Sequence, residues 1–318
     1  MNLVACNIYI TAGRLPQHIP LLLNLLQQAQ TQCRDDPNVV VVHAFADRTY
    51  NRTSFHFAAK SAQSLVSVTS ELAKTALQEF QNEQQRITKV SSTTNSEYFH
   101  PQVGVVDHIS VMSLADYQET NTDMTSSAIT DLTRTAHELG KRMEDMGQIV
   151  HYYGHAHPNN HPLAQVRREK TPFFDHEKDD SSNYLQSKET QSGMCLVGVP
   201  KQFVENYNVR VLCSSKSLVS RTLTQRLRER DGGIVGVEAL TLPYGDGSWE
   251  VAMNLLLPNL VPSIQQIVSQ WKKGTVLKEY RVGTTVDQCK RCLQIEDREI
   301  HDAFVMTQLE MYLEPQNC

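Results

Sequence analysis

Apolar and polar positions along this chain switch repeatedly between a period of two and a period near 3.6. Residues 3–10 read as a strand, and the next segment carries Ile19, Leu22, Leu23 and Leu26 at the spacing of one helix face. Val39 to Val42 is a continuous apolar run suited to a covered strand, with Thr53 to Ala58 as its hairpin neighbour. Leu65, Val68, Leu72, Ala76 and Phe80 repeat at helical spacing, and a polar loop over 81–99 leads to a strand beginning at Val103. This order is βαββαβ. A helix at about 125–146 and a short strand from Ile149 to Tyr153 extend it.

From Thr171 to Gly193 the composition turns to Asp, Glu, Lys, Ser and Gln without periodicity, which predicts a linker or loop. The expected division is therefore an N-terminal subdomain over 1–170, a linker over 171–193 and a C-terminal subdomain over 194–318. Beyond the linker, Val209 to Cys213, Ile234 to Leu242, Trp249 to Leu256 and Val276 to Val282 read as strands. Leu218, Val219, Leu223 and Leu227 mark one helix, and Ile264, Ile267, Val268 and Trp271 another. The order βαββαβ recurs. The expected fold class is α/β (α+β), with two ferredoxin-like subdomains, mixed or antiparallel sheets and a cleft between them.

At 318 residues and 36.0 kDa, 40% hydrophobic, the chain is long enough to bury sizeable cores. A formal charge of -5 and the lack of any lysine or arginine block leave no electrostatic footprint for nucleic acid. No run reaches the roughly eighteen apolar residues of a membrane span, and Met1 to Cys6 does not read as a leader, so a cytosolic protein is expected. The seven cysteines, scattered from Cys6 to Cys318, are expected as reduced thiols. Cys289 and Cys292 form a lone C-x-x-C without the second pair a zinc site needs. His151, His155, His157 and His161 make a local cluster that resembles a metal site only superficially, and no metal is expected.

The stretch His100-Pro101-Gln102-Val103-Gly104-Val105-Val106-Asp107-His108 draws most attention. It sets a histidine beside a rigid proline at the mouth of an apparently buried strand, where Val103, Val105, Ile109 and Val111 alternate. An imidazole titrates near neutral pH and can shuttle a proton, although a surface-loop histidine satisfies the same pattern. If the segment is extended, His100 and Asp107 lie roughly 23 Å apart and cannot pair directly.

These residues resemble the formiminotransferase family, tetrahydrofolate-dependent enzymes that move a one-carbon formimino group to or from glutamate. The family carries His-Pro-Arg-x-Gly-x-x-Asp where this chain has His100-Pro101-Gln102-Val103-Gly104-Val105-Val106-Asp107, with Gln102 in place of the arginine. Cys6 through Arg14 resembles Cys-Val-Pro-Asn-Phe-Ser-Glu-Gly-Arg, keeping Cys6, Gly13, Arg14 and a hydroxyl at Thr11, with Ala12 in place of the glutamate. Asn51-Arg52-Thr53, Tyr152-Tyr153-Gly154, Val166-Arg167 and Tyr207-Asn208-Val209 follow in family order, over roughly residues 3–272. Residues 184–193 and Gly198-Val199-Pro200-Lys201 depart from the pattern. The likeness is to stand-alone relatives, without a cyclodeaminase domain.

The resemblance implies a transferase with tetrahydrofolate as co-substrate, glutamate or N-formiminoglutamate as the other substrate and, by analogy, a homodimer. It implies His100 as the acid/base. Asp107 serves substrate binding or strand-end structure; Asp47 contacts the pterin edge or makes an Asx-turn. Arg52 and Arg167 are the cations chosen for the carboxylates of glutamate and the folate tail. Tyr153 stacks on or hydrogen-bonds the pterin or is an ordinary half-buried aromatic, and Asn208 is structural or faces the ligand. Two rival readings differ in class: a folate-binding protein that has lost transfer, motivated by Gln102, Ala12 and the altered loop, and a ligand-sensing or interaction module.

Overall fold

The period-two segments fold as strands and the 3.6-residue repeats as helices in a computed structural model that describes residues 3–82, 102–115, 124–170 and 193–314. In chain order the main elements are β1 (Val4–Ile10), α1 (His18–Asp35), β2 (Val39–Asp47), β3 (Arg52–Ala59), α2 (Ala62–Glu79), β4 (Val106–Ser113), α3 (Ser126–Asp145), β5 (Ile149–Gly154), α4 (Leu163–Lys170) and β6 (Met194–Val199). There follow β7 (Glu205–Leu212), a helical segment α5 (Lys216–Val219, a π turn Ser220–Thr224, and Gln225–Leu227), β8 (Val237–Pro243), β9 (Trp249–Leu255), α6 (Val261–Gln270), β10 (Thr275–Arg281), α7 (Val286–Cys292) and α8 (Arg298–Leu313). Side-chain caps start several helices: Ser61 accepts from the Ser64 amide, Thr125 from Ala128 and Asp297 from Ile300.

Two units result, one built from the residues up to Ala115, Asp123–Lys201 and Asp287 onward, the other chiefly from Gln202–Val286. The first holds a six-stranded mixed sheet in the order β2-β3-β1-β4-β6-β5. Its first four strands pair antiparallel in ferredoxin-like order, and β6 adds parallel to both β4 and β5. The second unit holds a four-stranded antiparallel sheet, β10-β7-β9-β8, which is the same ferredoxin-like order. The α+β class with two such layers is thus present.

Alternation decides which face meets the helices. Val4, Cys6, Ile8 and Ile10 of β1 and Phe55 and Phe57 of β3 join Leu22, Leu26, Leu65 and Leu72 in the core of the first unit. Each large side chain there contributes about 1.5–3 kcal/mol by leaving water. The opposite face of β1, β3 and β4 carries Asn7, Tyr9, Ser54, His56, His108 and Ser110, and these polar groups are buried as well. Burying polar groups costs free energy unless they are partnered, so this face marks the region where chemistry is concentrated.

Three features depart from expectation. The strand anticipated from Val103 begins at Val106. The strand just past the expected linker, β6, belongs to the first sheet, and the second unit starts at Gln202. Helices α4 and α8 were not anticipated; α8 lies along the outer strand β2, where the His301 ring bonds the Val41 carbonyl at 2.8 Å.

Ser110, Gly198 and Tyr153 stand in register across β4, β6 and β5. A Cβ at Gly198 would fall 2.6 Å from the Tyr153 ring and 2.3 Å from its carbonyl oxygen. The bare glycine therefore lets the ring lie across β6 and reach Ser110, hydroxyl to hydroxyl, at 2.5 Å. Gly198→Ala is expected to destabilise the fold by about 1–3 kcal/mol through overpacking. Urea unfolding measures this, and an unchanged midpoint contradicts the placement.

Candidate functional site

The site begins with a break in a strand. Along the β1–β4 pairing Tyr9 faces His108 but Ile10 faces Val106, so Asp107 is the extra residue of a β-bulge. A bulge re-aims side chains that strict alternation would send to opposite faces. Asp107 and His108 consequently converge, and both are buried. The chain ahead of the bulge folds back, because the Val103 amide donates to Asp107 Oδ1 at 3.1 Å. The extended path assumed for residues 103–107 is therefore not followed, since the bulge and this bond turn the backbone.

Three segments far apart in sequence close on Asp107. Arg167, from α4, grips the carboxylate with two prongs, Nη1 to Oδ1 at 3.1 Å and Nη2 to Oδ2. Arg52, the first residue of β3, brings Nη2 to 3.3 Å from Oδ2. His108 Nδ1 lies 3.2 Å from Oδ2, with Arg52 Nη2 at 3.1 Å and Arg167 Nη2 at 3.0 Å. Tyr9 completes the cluster: its ring stacks on His108 at 4.2 Å between centroids, and the Arg52 guanidinium sits 4.3 Å over the Tyr9 ring.

The electrostatics follow from two cations meeting one carboxylate away from water. Burial alone would raise the Asp107 pKa, but Arg167 and Arg52 hold it well below the usual carboxylate range. His108 moves down to about 3, first because burial disfavours its charged form, with both guanidiniums adding to the effect against the pull of Asp107. The ring is neutral at physiological pH. His56 is also pushed well below its ordinary value by burial and by His43 and His108. Burial raises the Tyr9 phenol, which stays protonated.

The neighbouring loops lock together at the same end of the sheet. Thr11 Oγ1 donates to the Gly104 carbonyl at 2.6 Å, the Arg14 amide to Asn51 Oδ1 at 2.9 Å and Gln102 Nε2 to the Tyr50 carbonyl at 2.8 Å. Asn51 takes a left-handed φ of 52°, which an asparagine tolerates better than most side chains.

Of the residues singled out by sequence, Arg52, Asp107 and Arg167 meet directly. Asp47 ends β2 and accepts the Tyr50 amide, three residues on, at 3.0 Å, which braces the turn into β3. Tyr153 lies on the same sheet face, where burial raises its phenol well above the ordinary value. Asn208 belongs to the second unit and donates to Glu250 Oε1 at 2.8 Å. His100 lies outside the described residues. Sequence reading missed His108, Tyr9 and His56; their signal is the period of two that sends Tyr9 and His56 to the face opposite the apolar one, and for His108 the adjacent carboxylate. Among the described residues no group of three or more His, Cys, Asp or Glu side chains is placed to hold a metal, and Cys289 and Cys292 are buried.

The family model "Formiminotransferase domain, N-terminal subdomain" matches residues 3–200. A "Formiminotransferase cyclodeaminase-like protein" of Arabidopsis thaliana is 28% identical over 315 residues, spanning 89% of this chain and 93% of that protein. Among solved structures, a putative chlorite dismutase TA0507 aligns at a TM-score of 0.26 and 8% identity over 92% of this chain and 99% of its own. The chlorite dismutase of Candidatus Nitrospira defluvii aligns at 0.24 and 8%, over 92% and 95%. Likenesses at that level carry no argument. No helix among the described residues is long and apolar enough to cross a membrane.

Removing the carboxylate deprives two buried guanidiniums of the anion they share. Asp107→Asn is expected to cost about 3–5 kcal/mol in chemical unfolding, and a cost below 1 contradicts the ion cluster. Acid has a second effect. Because the folded His108 ring refuses a proton that the unfolded chain accepts below about pH 6.5, stability falls as pH drops from there toward 3, by about 1.4 kcal/mol per pH unit for this ring. Asp107 adds a further loss at lower pH, below its unfolded value of about 3.9. Unfolding free energies at pH 5 and 6 are expected to fall less steeply in His108→Gln than in the parent chain. Equal slopes contradict a neutral buried ring.

Proposed function

The chain belongs to the formiminotransferase family, and on that premise we propose that it transfers a one-carbon formimino or formyl group between tetrahydrofolate N5 and glutamate. The observation that carries this reading is the meeting of Arg52, Asp107 and Arg167 in one buried set that keeps an excess of positive charge beside a neutral imidazole. Such a set suits a ligand with carboxylate or carbonyl oxygens, as both substrates are.

In the reaction, the glutamate nitrogen attacks the one-carbon unit and forms a new C–N bond through a tetrahedral carbon. The bond to N5 then breaks, the attacking nitrogen having lost a proton and N5 gaining one. His100 is the residue proposed to carry that proton, an effect worth about 10²–10⁴ in rate. His108 does not compete for the role, because a ring whose pKa lies at about 3 is a poor base near pH 7. Asp47, Tyr153 and Asn208 remain proposed contacts for the folate. A cytosolic setting and a homodimer belong to the same proposal.

One observation favours a second reading, a folate-binding protein without transfer. Gln102 stands where the family motif has arginine, and its amide is committed to the Tyr50 carbonyl. Calorimetry with tetrahydrofolate, followed by a transfer assay with N-formiminoglutamate, separates the two. The proposal expects binding, turnover and a hundredfold or greater loss in His100→Ala; binding without turnover supports the second reading, and no binding removes both.

A further inference from the structure

His108 holds a position that the transfer scheme does not use. Among the described residues, every hydrogen-bond contact of its ring falls on Nδ1. Two of those contacts come from guanidinium nitrogens, which can donate but never accept. The third, at 3.2 Å, is to Asp107, whose two oxygens already accept the Val103 amide and both prongs of Arg167 and are ion-paired with Arg52. Two obligate donors lie nearer to Nδ1, at 3.0 and 3.1 Å, than this carboxylate does. That geometry favours the lone pair on Nδ1 and the hydrogen on Nε2.

The ring is also fixed in place. It stacks within 13° of parallel on Tyr9, and its side chain is 7% exposed. Strands β3 and β1 turn further polar atoms to the same buried sheet face: Asn7 Oδ1 and His56 Nδ1, cross-strand neighbours, have no hydrogen-bond partner among the described residues. Buried groups left in this condition are completed by a ligand or by water.

We infer that His108 is a ligand-binding residue, held as a neutral Nε2–H donor for a carboxylate or carbonyl oxygen of the molecule bound on this face of the six-stranded sheet. Arg52 and Arg167 fix the tautomer, and Tyr9 fixes the plane. The charged and titratable groups around the ring are Asp107 on its own strand, Arg52 and His56 on β3, Tyr9 on β1 and Arg167 on α4. A donor that stays neutral stabilises an oxygen acceptor without delivering a proton to it, which leaves acid catalysis to another group. The choice of probes rests on the transferase reading; the tautomer does not.

The test uses the full chain labelled with ¹⁵N-histidine, with His108→Gln identifying the resonances of this ring. The expected spectrum is that of the neutral Nε2–H tautomer, unchanged between about pH 8 and pH 5, since burial and both guanidiniums hold the ring neutral across this range against the pull of Asp107. Addition of L-glutamate or of 5-formyltetrahydrofolate should shift Nε2 saturably, and the probe that does so names the source of the oxygen. His108→Leu should then weaken that probe about tenfold, while His108→Gln, which keeps an N–H donor, should weaken it less. An Nδ1–H tautomer, a ring titrating between about pH 5 and 7, a shift from an adventitious water alone, or no response to either probe overturns the inference. A clear Nε2 response without catalytic transfer upholds it and sinks the transferase reading instead.

Discussion

Everything distinctive about the first unit depends on one carboxylate that has been removed from water and compensated twice over. Asp107 is essentially without solvent exposure, and it is tolerated there because the Val103 amide and the guanidiniums of Arg52 and Arg167 converge on it. The bulge that creates this geometry brings Asp107 to the side His108 already faces with Ser110. One irregularity in pairing thus sets the ion cluster beside the neutral imidazole. Without the bulge Asp107 would point into the apolar helix-facing core, a location that would exclude its ionised form.

The remainder of the sheet face is arranged to support this centre. Gly198 makes room for Tyr153 to cross a strand and bond Ser110, and Tyr9 bridges the arginine and imidazole layers by stacking. Helix α4 contributes Arg167 while its neighbour Val166 packs with Val103, Tyr153 and Leu196, so apolar burial fixes where the guanidinium can reach. Polar function and hydrophobic packing are therefore coupled through adjacent residues of one short helix.

Much of the architecture was legible because hydrophobic period is a local property. β1, α1, β2, β3 and α2 all follow from alternation or helical spacing within a few residues, and the repeat of that order in the second unit follows in the same way. Membership of β6 in the first sheet was not legible, since parallel pairing with β4 and β5 is non-local and its apolar run looks alike in any sheet. At the site, Arg52, Asp107 and Arg167 were marked by motif, but their mutual contact was not, because a bulge adds a residue that period-two counting cannot detect. The position of His100 falls outside the described residues.

The most direct measurement is a double-mutant cycle on stability with Asp107→Asn and Arg167→Gln. If the buried ion cluster organises this face, the two substitutions should be strongly non-additive, with a coupling energy of about 1.5 kcal/mol or more. Additivity within about 0.5 kcal/mol would mean that the two side chains do not depend on each other, and the account of the site built on them would fail.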